Sequence, residues 1–309
     1  MRTLPQVKHK KPFKEKTIGQ EPIMTGTLIW VLLLVFFWAC NSVVVKIAVR
    51  DIPPFWAAFL RFTPALPFIF LFIKWNGSGF FVTTKEFLQI SVLALLMVVQ
   101  IFLFNLGSQF TTGGRVALII FSYPLIVPLI APFFIKEEGF KKAKLIGSFI
   151  AFLGLFVALR ENFYGNLSPT VKGDLIEISS CIVLSVIIVY NKRLATFINK
   201  WKIIFWQFQI GVILFLCAAI IFENFRIQNV QPDAWMALVF QSLAVSVFCF
   251  MSWQYLIAKH NSSNLSVFFF ATPLIGMFIG IILLHEAFDP GLIVGCILVG
   301  AGIYVVNKV

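Results

Sequence analysis

The sequence predicts an all-α membrane protein with ten transmembrane helices, arranged as two inverted five-helix repeats with both termini in the cytosol. Three observations lead to this prediction. The chain of 309 residues is 60% hydrophobic and 12% charged, with a mean hydropathy of +0.93. Soluble domains are roughly 45–50% apolar and 25% charged. Ten apolar stretches approach the roughly 20 residues that a helix needs to cross a bilayer, and one sequence pattern occurs twice.

The duplicated pattern joins a proline, a glutamate and two glycines. Its two copies are Pro124, Glu138, Gly147 and Gly154, and then Pro273, Glu286, Gly295 and Gly302. The glutamate-to-glycine and glycine-to-glycine intervals are the same in both copies, and the proline-to-glutamate interval differs by one residue. A duplicated membrane unit is typical of transporters, whose substrate site lies where the repeats meet near the middle of the bilayer.

The ten predicted spans follow the apolar stretches in order along the chain. They are 27–49, 54–73, 87–108, 113–135, 143–159, 174–190, 203–222, 234–257, 264–284 and 290–307. The fifth is short and follows the charged run KEEGFKKAK. It is predicted because the second copy of the pattern has a span at the same place. The spans define two repeats, 27–159 and 174–307.

Residues 1–26 form a basic tail, with Arg2 and five lysines against two glutamates and no apolar core of a secretory signal. We interpret them as a cytosolic tail. A nucleic-acid-binding tail is the less favoured alternative, because basic residues beside a first span set orientation and contact anionic lipid. No nucleic-acid partner is therefore predicted.

The distribution of lysine and arginine orients the chain. With the tail in the cytosol, 18 of these residues lie in the tail and the inner loops, and five lie in the outer loops. Cytosolic loops of membrane proteins carry this excess. Because each repeat has an odd number of spans, the two repeats must insert with opposite topology.

The five cysteines all lie in apolar segments, and none forms a CxxC pair. They are typical of small buried core residues rather than of a disulfide framework or a zinc site. The sequence predicts no metal and no cofactor.

The chain resembles the drug/metabolite transporter superfamily, specifically its ten-helix EamA-type members. The paired motifs carry the resemblance, together with FFWACNSVVVKIAVR around Trp38, Asn41 and Lys46, and PPFWAAFLRFTPALPFIF around Arg61. It covers about 27–307. The resemblance implies a secondary carrier, in bacteria often an exporter of amino acids, metabolites or drugs at the inner membrane.

Charged residues inside spans cost roughly 2.5–3.5 kcal/mol at a helix centre, so each needs a reason. Arg61 either meets a substrate carboxylate in a cavity or forms a structural contact between helices. Lys46 either extends to the interface or acts in coupling. Glu177 is either a proton carrier, the partner of a basic group, or a solvated residue near the outer surface.

The duplicated motif residues have structural and functional interpretations as well. Glu138 and Glu286 end the fourth and ninth spans, where they either cap a helix and bond it to a loop or take part in coupling. The glycine spacing selects Glu138 as the equivalent of Glu286, whereas the proline spacing selects Glu137. Pro124 and Pro273 free a carbonyl one turn back and bend their helices. The glycines keep a narrow face for close helix packing. In some family members this face joins two subunits, which leaves a homodimer open.

A further set of uncharged polar and aromatic side chains is predicted to line the substrate site. Its members are Trp38, Asn41, Gln100, Tyr123, Tyr190, Gln241 and Trp253. Pockets combine apolar walls with a few polar groups, and aromatic rings hold flat or cationic molecules by their faces.

The predicted function is a secondary membrane transporter that exports a small metabolite, such as an amino acid or an amphipathic or aromatic compound, by alternating access. The alternatives are a membrane-embedded enzyme or a channel acting on small molecules or lipids. The spans contain no paired acidic metal motif, no HExxH and no nucleophile elbow, which disfavours an enzyme. A channel needs a polar-lined path or rings of charge.

Overall fold

The computed structural model describes residues 25–77, 79–134, 142–158, 169–259, 269, 271–287 and 290–307. Every regular element in these ranges is helical. The α-helices are α1 (Thr25–Asp51), α2 (Pro54–Phe62), α3 (Ala65–Trp75), α4 (Thr84–Ser108), α5 (Gly113–Ile120), α6 (Tyr123–Phe134), α7 (Lys142–Ala158), α8 (Pro169–Ala195), α9 (Lys200–Phe222), α10 (Pro232–Phe240), α11 (Phe250–Lys259), α12 (Ala271–Leu284) and α13 (Pro290–Asn307). A 3-10 turn covers Ile227–Asn229, and a π-helix covers Gln241–Cys249.

Seven helical segments in the described ranges are long and apolar enough to cross a membrane. They are Gly26–Asp51, Pro54–Trp75, Thr84–Ser108, Gly113–Phe133, Thr170–Ala195, Lys200–Phe222 and Pro232–Trp253. Shorter apolar helices, Ile146–Ala158, Ala271–Leu284 and Pro290–Gly302, lie where the sequence predicts the fifth, ninth and tenth spans. The prediction of an all-helical membrane protein is confirmed.

Helix α4 begins three residues earlier than predicted because Thr83 and Glu86 form a capping box. The Thr83 hydroxyl accepts the Glu86 N–H at 3.3 Å, and the Glu86 carboxylate accepts the Thr83 N–H at 2.7 Å. These two bonds use N–H groups that a helix start otherwise leaves unpaired. The polar first turn extends the helix beyond its apolar stretch.

Two of the predicted spans are each built from two helices. The second breaks at Thr63–Pro64, where proline has no N–H for the helical ladder and the Thr63 hydroxyl donates to the Phe59 carbonyl. The fourth breaks just before Pro124, where Ser122 Oγ donates to the Leu118 carbonyl. Both breaks interrupt the regular backbone inside an apolar segment, where neighbouring helices and Ser or Thr side chains can satisfy the freed backbone groups.

The glycines of the duplicated motif bring α7 and α13 into close contact. An added Cβ on Gly154 would lie 2.8 Å from the Gly295 carbonyl oxygen, and one on Gly295 would lie 2.7 Å from the Gly154 carbonyl oxygen. The two backbones therefore approach at matching glycines, as small residues allow between membrane helices. Helix α4 packs along α8, and α1 packs against α12 and the π-helix.

Candidate functional site

Arg61 is a buried guanidinium in the last turn of α2. It is 3% exposed, and about 10 Å separates it from the helix start at ~1.5 Å per residue. Its Nε donates to Ser246 Oγ at 3.1 Å, and its Nη1 donates to Gln241 Oε1 at 3.3 Å. The guanidinium carbon lies 5.0 Å from the centre of the Phe62 ring. No carboxylate of the described residues forms an ion pair with it.

The π-helix explains how Gln241 and Ser246 reach the same guanidinium. In a π-helix the hydrogen bonds join residues five apart, so such residues lie above one another. In an α-helix, with 3.6 residues per turn, residues five apart point to different sides. The wider turn therefore presents both side chains to Arg61.

Several buried polar atoms on the π-helix and on α1 have no hydrogen-bond partner among the described residues. Gln241 Nε2 and Ser242 Oγ are buried and unpaired on the π-helix. Asn41 Oδ1 and Ser42 Oγ are buried and unpaired on α1, which packs against the π-helix. Buried polar groups are nearly always paired. We call Arg61, Gln241, Ser242 and Ser246 the central polar site.

A second group of charges lies where the C-terminal end of α1 meets the starts of α5 and α8. We call Lys46, Arg115, Asp174, Glu177 and Glu286 the charged cluster. Arg115 Nη1 lies 2.8 Å from Asp174 Oδ2, with side chains 7% and 3% exposed. The Thr111 hydroxyl donates to Asp174 Oδ1. In the described ranges no three Asp, Glu, His or Cys side chains converge as a metal site.

Glu286 caps the N-terminus of α5, although it follows α12. Its Oε1 accepts the Gly113 N–H at 2.6 Å, and its Oε2 accepts the Gly114 N–H at 3.2 Å. The reversal at His285, with φ of 51°, directs the carboxylate there. Gly280 provides the space for this carboxylate, because an added Cβ there would lie 2.5 Å from Glu286 Oε2. A carboxylate is favourable at a helix N-terminus.

Lys46 connects α1 to this cap. Its Nζ donates to the Thr111 carbonyl and lies 3.9 Å from Glu286 Oε1. The lysine side chain is 22% exposed and the glutamate side chain 12%. Both groups therefore act inside the protein as a link between helices.

Glu177 is fully buried on α8, which excludes the solvated interpretation. Its Oε1 accepts the Ser108 hydroxyl at 3.0 Å, and its Oε2 has no partner among the described residues. Gly107 faces it, since an added Cβ there would lie 2.8 Å from Glu177 Cγ. The carboxyl is thus held by tight packing and a single hydrogen bond.

The other predicted lining residues occupy different places. The rings of Trp38 and Trp253 lie 5.8 Å apart and both contact Phe269. Gln100 donates to Ser180 Oγ at 3.0 Å, and the Tyr190 hydroxyl donates to the Gln89 carbonyl at 3.3 Å. These last two contacts join α4 to α8.

Four further predicted residues are Tyr123, Pro124, Pro273 and Glu138, of which the structure describes the first three. Tyr123 is half-buried against an apolar cluster that includes Phe104 and Ile120. Pro124 is the second residue of α6, and Pro273 is the third residue of α12. Glu138 lies outside the described residues.

The sequence did not indicate Asp174, Ser242 or the burial of Arg115, which is one of the five basic residues predicted to lie in the outer loops. Nor did it indicate Glu223, whose carboxylate accepts the N–H groups of Phe55 and Trp56 at 2.9–3.1 Å and so caps α2. Burial raises the pKa of the Glu223 carboxyl above its ordinary value, although the N–H donors act in the opposite direction. Their positions could have indicated this, because Asp174 and Glu223 both lie near a helix end, close to the start of a neighbouring helix.

Two cavities lie away from the central polar site. One of about 620 Å³ is lined by Arg50, Gln231, Pro232, Asp233 and Met236. A groove of about 340 Å³ lies between α5, α6, α7 and α8 and is lined almost entirely by apolar side chains, among them Ile119, Ile126 and Phe152. Arg61 lines neither of them.

The EamA-like transporter family model matches the chain twice, over residues 25–160 and 171–308. The chain belongs to the EamA-like transporter family. The resemblance drawn from the paired motifs is confirmed, and the protein is a multi-pass membrane transporter of the drug/metabolite transporter superfamily. The family and its members' names indicate transporters rather than enzymes.

Several relatives of this EamA-family protein are named as transporters or efflux pumps, and the alignments cover nearly the whole length of each. It is 25% identical over 276 residues to an uncharacterized transporter of Archaeoglobus fulgidus, with 88% of this chain and 94% of the relative covered. It is 24% identical to the Bacillus subtilis uncharacterized transporter YoaV, with 91% and 96% covered. It is 20% identical to an Escherichia coli protein named "Probable amino-acid metabolite efflux pump", with 89% and 92% covered.

A solved structure shares the fold of this EamA-family protein. A crystal structure of a protein aligns with a TM-score of 0.66 at 18% identity, covering 90% of this chain and 94% of that chain. The similarity extends over almost the whole of both chains.

Proposed function

We propose that this EamA-family protein is a secondary transporter that exports a small metabolite across the bacterial inner membrane by alternating access. It is built from a cytosolic tail, 1–26, and two inverted five-helix repeats, 27–159 and 174–307, with both termini in the cytosol. The substrate is an amino acid or an amphipathic or aromatic compound.

The observation that carries this proposal is that the charged cluster joins the two family matches. Arg115 of the first match pairs with Asp174 of the second. Lys46 of the first pairs with Glu286 of the second. Carriers with two repeats work by moving one repeat or bundle against the other. Contacts between the repeats are therefore the ones that must change during transport.

The helix ends that meet in the charged cluster support the proposed topology. The predicted orientation puts the end of α1, the starts of α5 and α8, and the residues after α12 on the outer side. These are the segments that supply the charged cluster. Glu223, predicted to lie on the same side, bonds the residues after α9 to the start of α2. The cluster thus acts as an outer gate, closed in this conformation.

The substrate class draws support from two sources. Two relatives, from Salmonella typhimurium and Escherichia coli, are named as amino-acid metabolite efflux pumps. The central polar site also combines a guanidinium, an amide and hydroxyl groups within an apolar helix bundle. Small-molecule sites have this composition, with apolar walls and a few polar groups. Arg61, Gln241, Asn41 and the ring pair Trp38–Trp253 are the proposed contacts.

The decisive experiment is uptake of labelled compounds into proteoliposomes that contain the pure protein. The panel begins with aromatic and branched amino acids and is measured with and without an imposed pH gradient. We expect saturable uptake that unlabelled substrate inhibits, whereas liposomes without protein take up the same compounds only by slow leakage. Equal, non-saturable entry with and without protein across the panel would refute the proposal.

Proton coupling is proposed for Glu177, because it is a fully buried carboxyl within the charged cluster. Glu177→Gln is expected to keep substrate exchange and to lose the dependence of uptake on the pH gradient. The matched control is Glu86→Gln, the same change at an exposed carboxylate at the start of α4. A Glu177→Gln variant with the proton dependence of the unmodified protein would rule out this role.

A further inference from the structure

Arg61 is the group in the central polar site whose burial is hardest to explain by protein contacts. An isolated buried charge carries a large desolvation cost unless an opposite charge and hydrogen bonds compensate it. Arg61 is 3% exposed, and its contacts among the described residues are hydrogen bonds donated to Ser246 Oγ and Gln241 Oε1 and the face of the Phe62 ring. By contrast, the exposed Arg50 contacts both Asp51 and Asp233.

Unpaired polar atoms on the π-helix that contacts Arg61 add to this imbalance. Gln241 uses its oxygen to accept from Arg61, which leaves its Nε2 donor buried without an acceptor. Ser242 Oγ on the same helix is also buried and unpaired. The site therefore presents one positive charge and at least one spare amide donor, and it lacks a negatively charged acceptor among the described residues.

We propose that the central polar site binds the anionic head group of the transported compound, a carboxylate or a phosphate, with Arg61 as its counter-charge. An oxyanion supplies the missing charge and the missing acceptor together. Guanidinium is suited to it, since its planar fork of donors matches the two oxygens of a carboxylate or phosphate. This inference rests on the proposed transport function and names its substrate class.

The π-helix is what allows such a site to form. Because residues five apart align on it, Gln241 and Ser246 fix the guanidinium while Ser242, on the next position, stays unpaired. The break after Phe62 ends α2 one residue beyond Arg61. Transporter sites are commonly formed where membrane helices are discontinuous, and both elements that meet at Arg61 depart from a continuous α-helix.

The test uses the full-length protein in lipid nanodiscs and measures its thermal unfolding midpoint by tryptophan fluorescence. The probes are L-phenylalanine, L-leucine and benzoate, each beside its amide, and inorganic phosphate. A ligand that binds only the folded protein raises the midpoint in a concentration-dependent way. We expect at least one anion to do so saturably, with an apparent affinity at least tenfold higher than that of its amide.

Arg61→Gln is expected to abolish the anion-dependent shift of the unfolding midpoint. The matched control is Arg50→Gln, which makes the same change at a paired, exposed arginine and should leave that shift unchanged. If Arg61→Gln fails to fold, Arg61→Lys retains a cation, and we expect it to bind the anion more weakly but still better than the amide. A shift with phosphate alone assigns the site to phosphorylated compounds, and a shift with the acids assigns it to carboxylates.

Three results would overturn the anion site: equal shifts by acid and amide, a shift retained in Arg61→Gln, or no shift with any anion. This binding assay is separate from transport. Uptake without preference for acid over amide refutes the anion site and leaves the transporter in place. Acid-specific binding without any uptake refutes the transporter and leaves the site in place.

Discussion

The ion pair between Arg115 and Asp174 allows the contribution of the outer gate to be measured. The change is Asp174→Asn, which keeps the size of the side chain and an acceptor for the Thr111 hydroxyl but removes the negative charge. The pair lies at 2.8 Å, and both side chains are less than a tenth exposed. The guanidinium would then lose the charge of the Asp174 carboxylate.

The expected cost follows from this burial. Breaking a buried ion pair by removing one partner destabilises a protein by about 3–5 kcal/mol, because a charge stays buried without compensation. Exposed pairs contribute only about 0–1 kcal/mol. We therefore expect Asp174→Asn to lower the free energy of unfolding by about 3–5 kcal/mol, and Arg50→Gln, at an exposed pair, to lower it by less than about 1 kcal/mol.

The assay is a double-mutant cycle that measures the free energy of unfolding of the purified protein in mild detergent. Besides Asp174→Asn, it needs Arg115→Met and the double variant. Replacing both charges of a buried pair is often close to neutral, so the double variant should be more stable than Asp174→Asn alone. The coupling between the two sites should exceed about 1 kcal/mol.

Two results would refute this reasoning. A loss of under about 1 kcal/mol for Asp174→Asn would mean that the pair contributes no more than a surface contact. A double variant whose loss equals the sum of the two single losses would mean that the two side chains do not interact energetically.

Two further predictions test close contacts, and a third tests the ionisation of the carboxyl that caps α2. Gly280→Ala would put a Cβ 2.5 Å from Glu286 Oε2, and we expect a loss of about 1.5–3 kcal/mol in denaturation as the cap is displaced; Gly79→Ala, with open space, should change nothing. Gly295→Ala would put a Cβ 2.4 Å from Ala158 Cβ and should cost about 1–3 kcal/mol, so an unchanged unfolding midpoint would contradict the α7–α13 contact. For Glu223 the folded protein holds the proton more tightly than the unfolded chain, because burial raises the pKa of this carboxyl. The free energy of unfolding should therefore fall as the pH rises from 4.5, the ordinary pKa, through the higher pKa of the folded protein. Glu223→Gln should remove this pH dependence. The same pH profile in the variant and the unmodified protein would contradict the prediction.

The helices were predictable because apolar length is a local property. The described bounds of α1, α7, α9 and α13 lie within three residues of the predicted ones, since about 20 apolar residues suffice to identify a span. The breaks at Pro64 and before Pro124 were harder to predict from the sequence, because a proline inside a span allows either a bend or two separate helices.

The partners within the site were not predictable from the sequence. Arg61 and Glu177 stood out as charges in apolar segments, whereas Arg115 and Asp174 lie at segment ends, where charges are common. Their pairing joins positions 59 residues apart, and no periodicity reports such a contact. The π-helix is a second cause, because a 3.6-residue period places Gln241 and Ser246 on different sides.

The separation of the charged cluster between the two halves has a consequence for how the protein is made. Lys46 and Arg115 belong to the half that is synthesised first, and their carboxylate partners, Glu286 and Asp174, belong to the second half. The early spans must therefore enter the bilayer with basic groups that have not yet met these acids. Assembly within the membrane completes only when the last helices arrive, so the first half expressed alone should be a poor folding unit and the two halves co-expressed a better one.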